Sequence, residues 1–423
     1  MLNFLSKSFS KNEKNSPNTK ILITLFVLFL YRFGNAIPLS GIDQDALKRS
    51  FSQLDSRNAI MQIINMYSGA GGTTLLSPFS LGIIPFINSS ILIDLLTALF
   101  PSLEKLQSEE GSAGRRKLLL YKKLLTILFA IGQSIFLIIY LKSYFYNDSL
   151  ETFFLTGLQL TTGALIVVWL STTLDNKGIG NGTSLIIFTN IIVGLLSKNF
   201  ANIERIDSLF ILQAFVLLFL VILIALSQIV RVNIGVVSAR QLTFLEQKDN
   251  IVQKEEEEEF VKQVIADNGL AIKLNQAGIF PIIIASNLLP FLSYFTEILQ
   301  SKFNILYLNN ILYYLLIIGF NYFYTVVFWD PEKISEQLRK ASVSIVNITP
   351  GKQTELHLEK FVRGTSILGG IYLCIILLLY EFMKQVINGS LLNQVNISSL
   401  IILVGVAYDL QRTLRGLYKN TFA

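Results

Sequence analysis

The side chains able to do chemistry are few. The 423-residue chain holds one histidine, His357, and one cysteine, Cys374. A single histidine removes most metal sites and the histidine-based nucleophilic schemes, and a single cysteine cannot close an internal disulfide. No metal, no cofactor and no catalytic activity are expected. Two features remain. Gly178-Ile179-Gly180-Asn181-Gly182-Thr183-Ser184 gathers glycines at a helix start, as phosphate-cradling loops do. No strand precedes it and no Gly-Lys-Ser/Thr follows, so a tight turn that lets two half-spans pack closely is the better reading. The second feature is Asp94, a carboxylate inside an apolar helix. At membrane depth it costs ~2.5–3.5 kcal/mol on insertion scales unless it faces protein or water. It is either a structural acid paired with a neighbouring helix or a polar group on a moving seam. A third use, as the coupling acid of a secondary transporter, wants further intramembrane acids nearby, and none is clear. An intramembrane enzyme would need a nucleophile and base within the spans, and the only histidine lies in a loop.

The elements that must position these residues are membrane spans. The chain is 52% hydrophobic and 15% charged, the composition of a polytopic membrane protein. Apolar runs long enough to cross a bilayer, about ten of them, fall near 21–37, 81–100, 118–141, 153–174, 184–196, 209–230, 277–298, 311–329, 367–383 and 398–414. The fold class is therefore all-α. Asp94 belongs to the second run, which follows the glycines and hydroxyls of 69–78 and also carries Pro85, Asn88, Ser89 and Ser90. Ile83, Ile87 and Ile91 recur there at helical spacing. So polar a helix, beside glycine-rich backbone, reads as the wall of a pathway with a small mobile element before it. Asn275–Asn287 opens the seventh run, with Pro281 able to bend it. Asn287 stands one turn after Ile283, and Thr183 one turn before Ile187.

Lysine and arginine set the orientation. Arg115, Arg116, Lys117, Lys122 and Lys123 follow the second run, Arg231 and Arg240 the sixth, and a third basic group lies between the eighth and ninth. All share the side of the lysine-rich tail 1–20, which places both termini in the cytosol or stroma. Two inside loops, 231–273 and 330–365, are too long for simple connections. A docking surface for a soluble partner is favoured over a solvated tether, while Glu255–Glu259 reads as a solvated helix face or disordered tip. A split near 199–208 gives two five-span halves, 21–199 and 200–414, followed by a tail, 415–423. No basic-aromatic patch argues for nucleic acid.

Several of these stretches resemble the SecY family of protein translocon channels. They are Arg32-Phe33-Gly34 to Pro38, Gly41-Ile42-Asp43, Leu81 to Pro85, Gly114-Arg115-Arg116-Lys117, Lys177 to Ser184, Asn275 to Ser286, and Pro350-Gly351 with Thr354. They occur in the family's order over nearly the whole chain. The resemblance implies a protein-conducting channel that passes unfolded preproteins and releases apolar segments into lipid. It implies a clamshell pore between two pseudo-symmetric halves and an apolar ring of Ile83, Ile87, Ile187, Ile283 and Ile402. It implies a plug near 60–71, with Ile60, Ile63, Ile64, Met66, Tyr67, Ser68 and Gly69. A lateral gate would use Asn88, Ser90, Asp94 and Asn287, between the second and third spans and the seventh and eighth. Partner docking would fall on Arg240, Arg339, Lys340, Pro350, Gly351, Lys352 and Thr354. The implied partners are a SecE-like small membrane subunit, a SecG-like subunit, a SecA motor ATPase or a ribosome, preproteins with signal sequences, and lipid. Lysine-, asparagine- and isoleucine-rich wording points to a plastid thylakoid membrane, with a bacterial inner membrane as the alternative. Two departures bear on docking: Thr349 stands where the family usually has arginine, and the glutamate run replaces a more basic loop.

Overall fold

In lipid every backbone amide must find its partner within the chain, and helices satisfy that condition. The structure is a computed structural model that describes residues 17–53, 76–108, 110–200, 208–238, 270–273, 275–278, 280–286, 288, 308–346, 348–387, 392 and 396–422. In chain order the helices are α1 (Pro17–Asn35), α2 (Gln44–Gln53), α3 (Ile84–Leu99), α4 (Pro101–Ser108), α5 (Gly111–Tyr140), α6 (Leu150–Lys177), α7 (Gly182–Phe200), α8 (Ser208–Ile229), α9 (Leu308–Phe328), α10 (Pro331–Lys340), α11 (Lys352–Ile387) and α12 (Ile397–Phe422). Residues 280–286 are also helical. The strands are β1 (Arg231–Ile234), β2 (Val236–Ser238), β3 (Leu270–Lys273) and β4 (Val343–Ile345). Among the described residues, six helical stretches are long and apolar enough to cross a membrane: α5, α6, α8, a stretch running through α9 into α10, α11 and α12. The apolar helices at Ile84–Leu99 and Gly182–Gly194 are shorter; they occupy the expected second and fifth spans.

Two compact units divide the chain: residues 1–207 with 394–423, and residues 208–393. In the first, α5 packs between α3 and α6, and α1 lies on α6 and α7. The last helix, α12, packs on α7 of this unit, whereas the sequence reading had grouped it with the second half. An apolar core of Leu39, Ile42, Leu76, Leu81, Leu137 and Leu160 gathers the segment after α1, the approach to α3 and the ends of α5 and α6. Short ties draw these strands of chain together. The Gln44 side chain donates to the Leu76 carbonyl at 3.1 Å and accepts from the Leu76 amide at 3.0 Å. The Leu39 amide donates to the same carbonyl at 2.7 Å.

In the second unit α9 packs along α11. Asn321 Nδ2 donates to the Ser366 carbonyl at 2.6 Å, and Tyr372 reaches the Leu223 carbonyl of α8 at 2.8 Å. The bases of the two long loops form one small head. β1 pairs antiparallel with β3, and β2, from the first loop, pairs antiparallel with β4, from the second. Ile234, Ile272, Ile345 and Leu358 are its core, with Trp329, Leu338 and Phe361 packed against them. These short strands are the departure from an all-α chain. At three or four residues each they carry too little pattern to be read from sequence. α11 starts well before its apolar run because its first turns cover the head while the rest spans.

Candidate functional site

α3 is fixed at its start by three neighbours. Ile83 precedes it and Pro85 sits in its first turn, where a missing amide hydrogen costs nothing. The turn leading in is braced by its own serines. The Ser77 amide donates to Ser80 Oγ at 2.8 Å, and the Phe79 amide to Ser77 Oγ at 3.1 Å. Gly163 of α6 lies against this turn, and a Cβ there would stand 1.9 Å from the Pro78 carbonyl oxygen. Phe79 stacks on Tyr31 of α1 at 6.2 Å between centroids. The Tyr31 hydroxyl in turn accepts from Asn190 Nδ2 of α7 at 2.7 Å. Ile83 and Ile87 are buried beyond this anchor.

Along its length α3 is tied to α5 by polar groups. Ser89 Oγ and Thr126 Oγ1 are 2.8 Å apart, both fully buried. Further along, Asp94 Oδ1 lies 2.9 Å from Lys122 Nζ, with side-chain exposures of 32% for the acid and 22% for the lysine. This is the structural pairing that the sequence left open for Asp94. Asn88 and Ser90 are half-buried on the same helix.

The glycine stretch 178–184 is a tight turn between α6 and α7. Gly180 has φ +73°, in the left-handed region that glycine favours. A Cβ on Gly182 would fall 2.2 Å from the Ser171 carbonyl oxygen, so the close approach requires glycine. The Gly182 amide donates to Asp175 Oδ1 at 2.7 Å, the Ile179 amide to Thr24 Oγ1 at 3.0 Å, and Ser171 and Thr183 join hydroxyls at 3.1 Å. A carboxylate of the chain itself therefore occupies the start of α7, where a phosphate would have bound. Ile187, one turn on, is half-buried.

Ile402 is buried on α12, and Ile283 is buried in the helical segment 280–286. That segment leans on α9 through Phe280 and Tyr324, stacked at 5.9 Å. Ile83, Ile87, Ile187 and Ile402 belong to the first unit and Ile283 to the second. The expected plug residues, Asn287, Arg240 and the glutamate run lie outside the described residues.

The remaining docking candidates sit on the head. Arg339 and Pro350 are exposed. Lys340 pairs with Glu336 at 2.9 Å and Lys352 with Glu355 at 3.0 Å. Gly351 has φ +105°, and its carbonyl accepts from Ser335 Oγ at 3.0 Å. Thr354 is corrected: it is 2% exposed and donates to the Thr349 carbonyl at 2.9 Å. Its hydroxyl holds the turn that starts α11 and is not offered to a partner. Thr349 itself bonds Gln353 Oε1 at 2.7 Å.

Sequence reasoning missed Lys122 as the partner of Asp94 and Thr126 as the partner of Ser89. A signal existed in the antiparallel register of two successive apolar helices joined through α4. Pairing one polar residue across it, Ser89 with Thr126, brings Asp94 alongside Lys122.

A protein-family model described as SecY matches residues 77–411. The chain belongs to the SecY family. A relative from Pyropia yezoensis, named as protein translocase subunit SecY, is 38% identical over 416 residues, covering 94% of this chain and 95% of that one. Among solved structures, one described as a protein conducting channel aligns with a TM-score of 0.61 at 17% identity, over 95% of this chain and 93% of the other. Sec61 from a canine ribosome–channel complex of the endoplasmic reticulum aligns with a TM-score of 0.55 at 15% identity, over the same shares of the two chains. These likenesses show the SecY fold: a mostly helical, multi-pass membrane protein.

Proposed function

We propose that this SecY-family chain is the protein-conducting channel of a Sec translocase, passing unfolded preproteins through the membrane and releasing apolar segments sideways into lipid. The observation that carries this reading is the family match to a translocase subunit over nearly the full length of both chains. The ring of Ile83, Ile87, Ile187, Ile283 and Ile402 closes the idle channel. Branched apolar side chains around a narrow neck expel water and so block ions, yet offer a passing chain no fixed hydrogen-bond pattern. Asn88, Ser90 and Asn287 belong to the lateral gate, where a segment is sorted by its free energy of transfer to lipid.

The head is the docking body for the partner that drives transport. Support comes from the β2–β4 pairing, which makes one body of two loops, and from exposed Arg339, Pro350 and Lys352 on it. The related canine channel was solved with a ribosome, and a ribosome or a SecA-like motor is the partner class here. A SecE-like subunit, with a SecG-like one, completes the complex. The chain works in a thylakoid membrane with both termini in the stroma, as its basic loops and its translocase relative suggest.

The ring is tested with Ile87→Asn and Ile283→Asn in planar bilayers. The resting ion conductance should rise for each, and poor signal sequences should pass more easily. Unchanged conductance in both variants rejects the ring. Co-purification of a one- or three-span membrane protein with the full chain tests the complex.

A further inference from the structure

Leu76, on the approach to α3, is held by a side chain that stands in for a backbone strand. The segment 39–44 runs between α1 and α2 as a crosspiece. One edge of it pairs with the turn after α5. The Asp43 amide donates to the Tyr144 carbonyl at 2.9 Å, the Tyr146 amide donates to the Gly41 carbonyl at 3.2 Å, and Ile42 faces Phe145 in an antiparallel bridge. α6 reaches the same segment, where Gln159 Nε2 donates to Ser40 Oγ at 2.6 Å. The other edge takes Leu76, whose carbonyl accepts from the Leu39 amide at 2.7 Å. No further backbone peptide follows along that edge, because the chain turns into α2 at Gln44, with Asp43 Oδ1 capping the first amides. The Gln44 side chain fills the place. Its carboxamide is a peptide group on a two-carbon stem. It donates to the Leu76 carbonyl at 3.1 Å and accepts from the Leu76 amide at 3.0 Å. Leu76 is 1% exposed, so without Gln44 its amide would be a buried donor with no water to turn to.

From Leu76 to Ile87 the chain has no slack. The Ser77 amide donates to Ser80 Oγ at 2.8 Å, the Ser80 amide to the Ser77 carbonyl at 3.0 Å, the Gly82 amide to the Phe79 carbonyl at 2.8 Å and the Ile87 amide to the Ile83 carbonyl at 3.1 Å. A shift at Leu76 therefore travels to Ile83 and Ile87 through bonded turns instead of being absorbed on the way. We propose that Gln44 is a positioning residue for the seal of the channel. By clasping Leu76 to the crosspiece it sets the height at which α3 starts, and with it the level of Ile83 and Ile87 in the closed ring. This rests on the reading of those isoleucines as ring members.

The test is resting ion conductance per inserted channel, measured on the full translocon in planar bilayers. Gln44→Met keeps the stem and removes both amide atoms, and it should raise conductance several-fold. Conductance within twofold of the unaltered channel, while Ile87→Asn leaks, overturns the clasp and leaves the ring standing. If Ile87→Asn and Ile283→Asn do not leak either, the ring reading falls, and the role of Gln44 with it. Gln44→Met combined with Ile87→Asn should leak within twofold of Ile87→Asn alone, since both changes open one seal. Full multiplication of the two effects would place the action of Gln44 outside the ring and overturn the proposal. If Gln44→Met fails to insert, Gln44→Glu decides. Its protonated acid offers one donor and one acceptor and restores the clasp, whereas its carboxylate sets a charged oxygen against the Leu76 carbonyl. Conductance of Gln44→Glu should therefore fall several-fold between about pH 8 and about pH 4, a range that spans ordinary carboxyl titration. The unaltered chain is the baseline over the same range. It shares the surrounding groups, which are Asp43, Asp45 and Arg49 beside Gln44 and Lys142, Tyr144 and Glu151 on the elements packed against it. A side chain needed for stability alone would change the yield of inserted channel and leave conductance per channel flat with pH, and that result also overturns the proposal.

Discussion

The helical bundle of the first unit and the head of the second differ in what they turn outward and in what they admit inside. In the bundle the outward side chains are apolar: Leu128, Ile139 and Phe154 are each about two-thirds or more exposed. Its interior sets buried hydroxyls and glycines, among them Ser89, Thr126, Thr156, Ser171 and Gly163, beside the apolar core of Leu39, Leu81, Leu137 and Leu160. In the head the interior is Ile234, Ile272, Ile345 and Leu358, and the surface is Glu332, Lys333, Glu336, Arg339 and Lys340. Each region turns outward what its solvent accepts. In lipid an apolar contact between helices gains nothing over contact with acyl chains, so close approach and hydrogen bonds must do the holding. In water, apolar area removed from solvent holds the small sheet together.

Five substitutions test that contrast. Leu358→Ala has the largest expected effect, about 2–5 kcal/mol at the head. The head should become sensitive to protease while α5 and α6 stay folded. Loss of the bundle together with the head would merge the two regions and end the contrast. Gly163→Ala comes next, at about 1–3 kcal/mol, because the added methyl meets the Pro78 carbonyl, a backbone atom with little room to yield. Thermal unfolding in detergent should register the drop. Thr126→Val removes a hydroxyl but keeps the shape. It should cost about 0.6 kcal/mol, the usual scale for a hydrogen bond between membrane helices, and a much larger loss would mean that the buried tie is worth more than lipid-based expectation. The smallest effect on stability belongs to Lys340→Glu. Its pair with Glu336 is exposed and screened by solvent and salt, so stability should hardly move. The same reversal, with Arg339→Glu, should nevertheless lower transport without lowering the amount of inserted channel. A matching loss of insertion would assign these charges to orientation alone.

What the sequence could disclose followed from where one feature sufficed. The apolar run 209–230 meets α8 almost residue for residue, since hydropathy alone decides a helix with so little polar surface. The glycine stretch 178–184 was legible as a turn because no strand preceded it. Asp94 was legible only as a choice between readings. Its partner is 28 residues away in the chain, and nothing local to Asp94 names Lys122. Thr354 misled for a related reason: a motif residue beside exposed Pro350 looks like surface until burial is seen. The head escaped altogether as a folded body, because β2 and β4 are short and lie in different loops.

α11 adds a mechanical consequence. It runs 36 residues without interruption, about 54 Å at 1.5 Å per residue, against a hydrocarbon thickness of about 30 Å. Some 24 Å of it therefore stands clear of the acyl chains, with Leu358 and Phe361 bolted into the head core. An unbroken helix curves only gently over such a distance, so it behaves as a stiff rod clamped at one end. A push of an ångström on the head cannot be absorbed at the membrane surface. It arrives at Asn321, Tyr372 and Cys374, the points where the rod is braced against its neighbours.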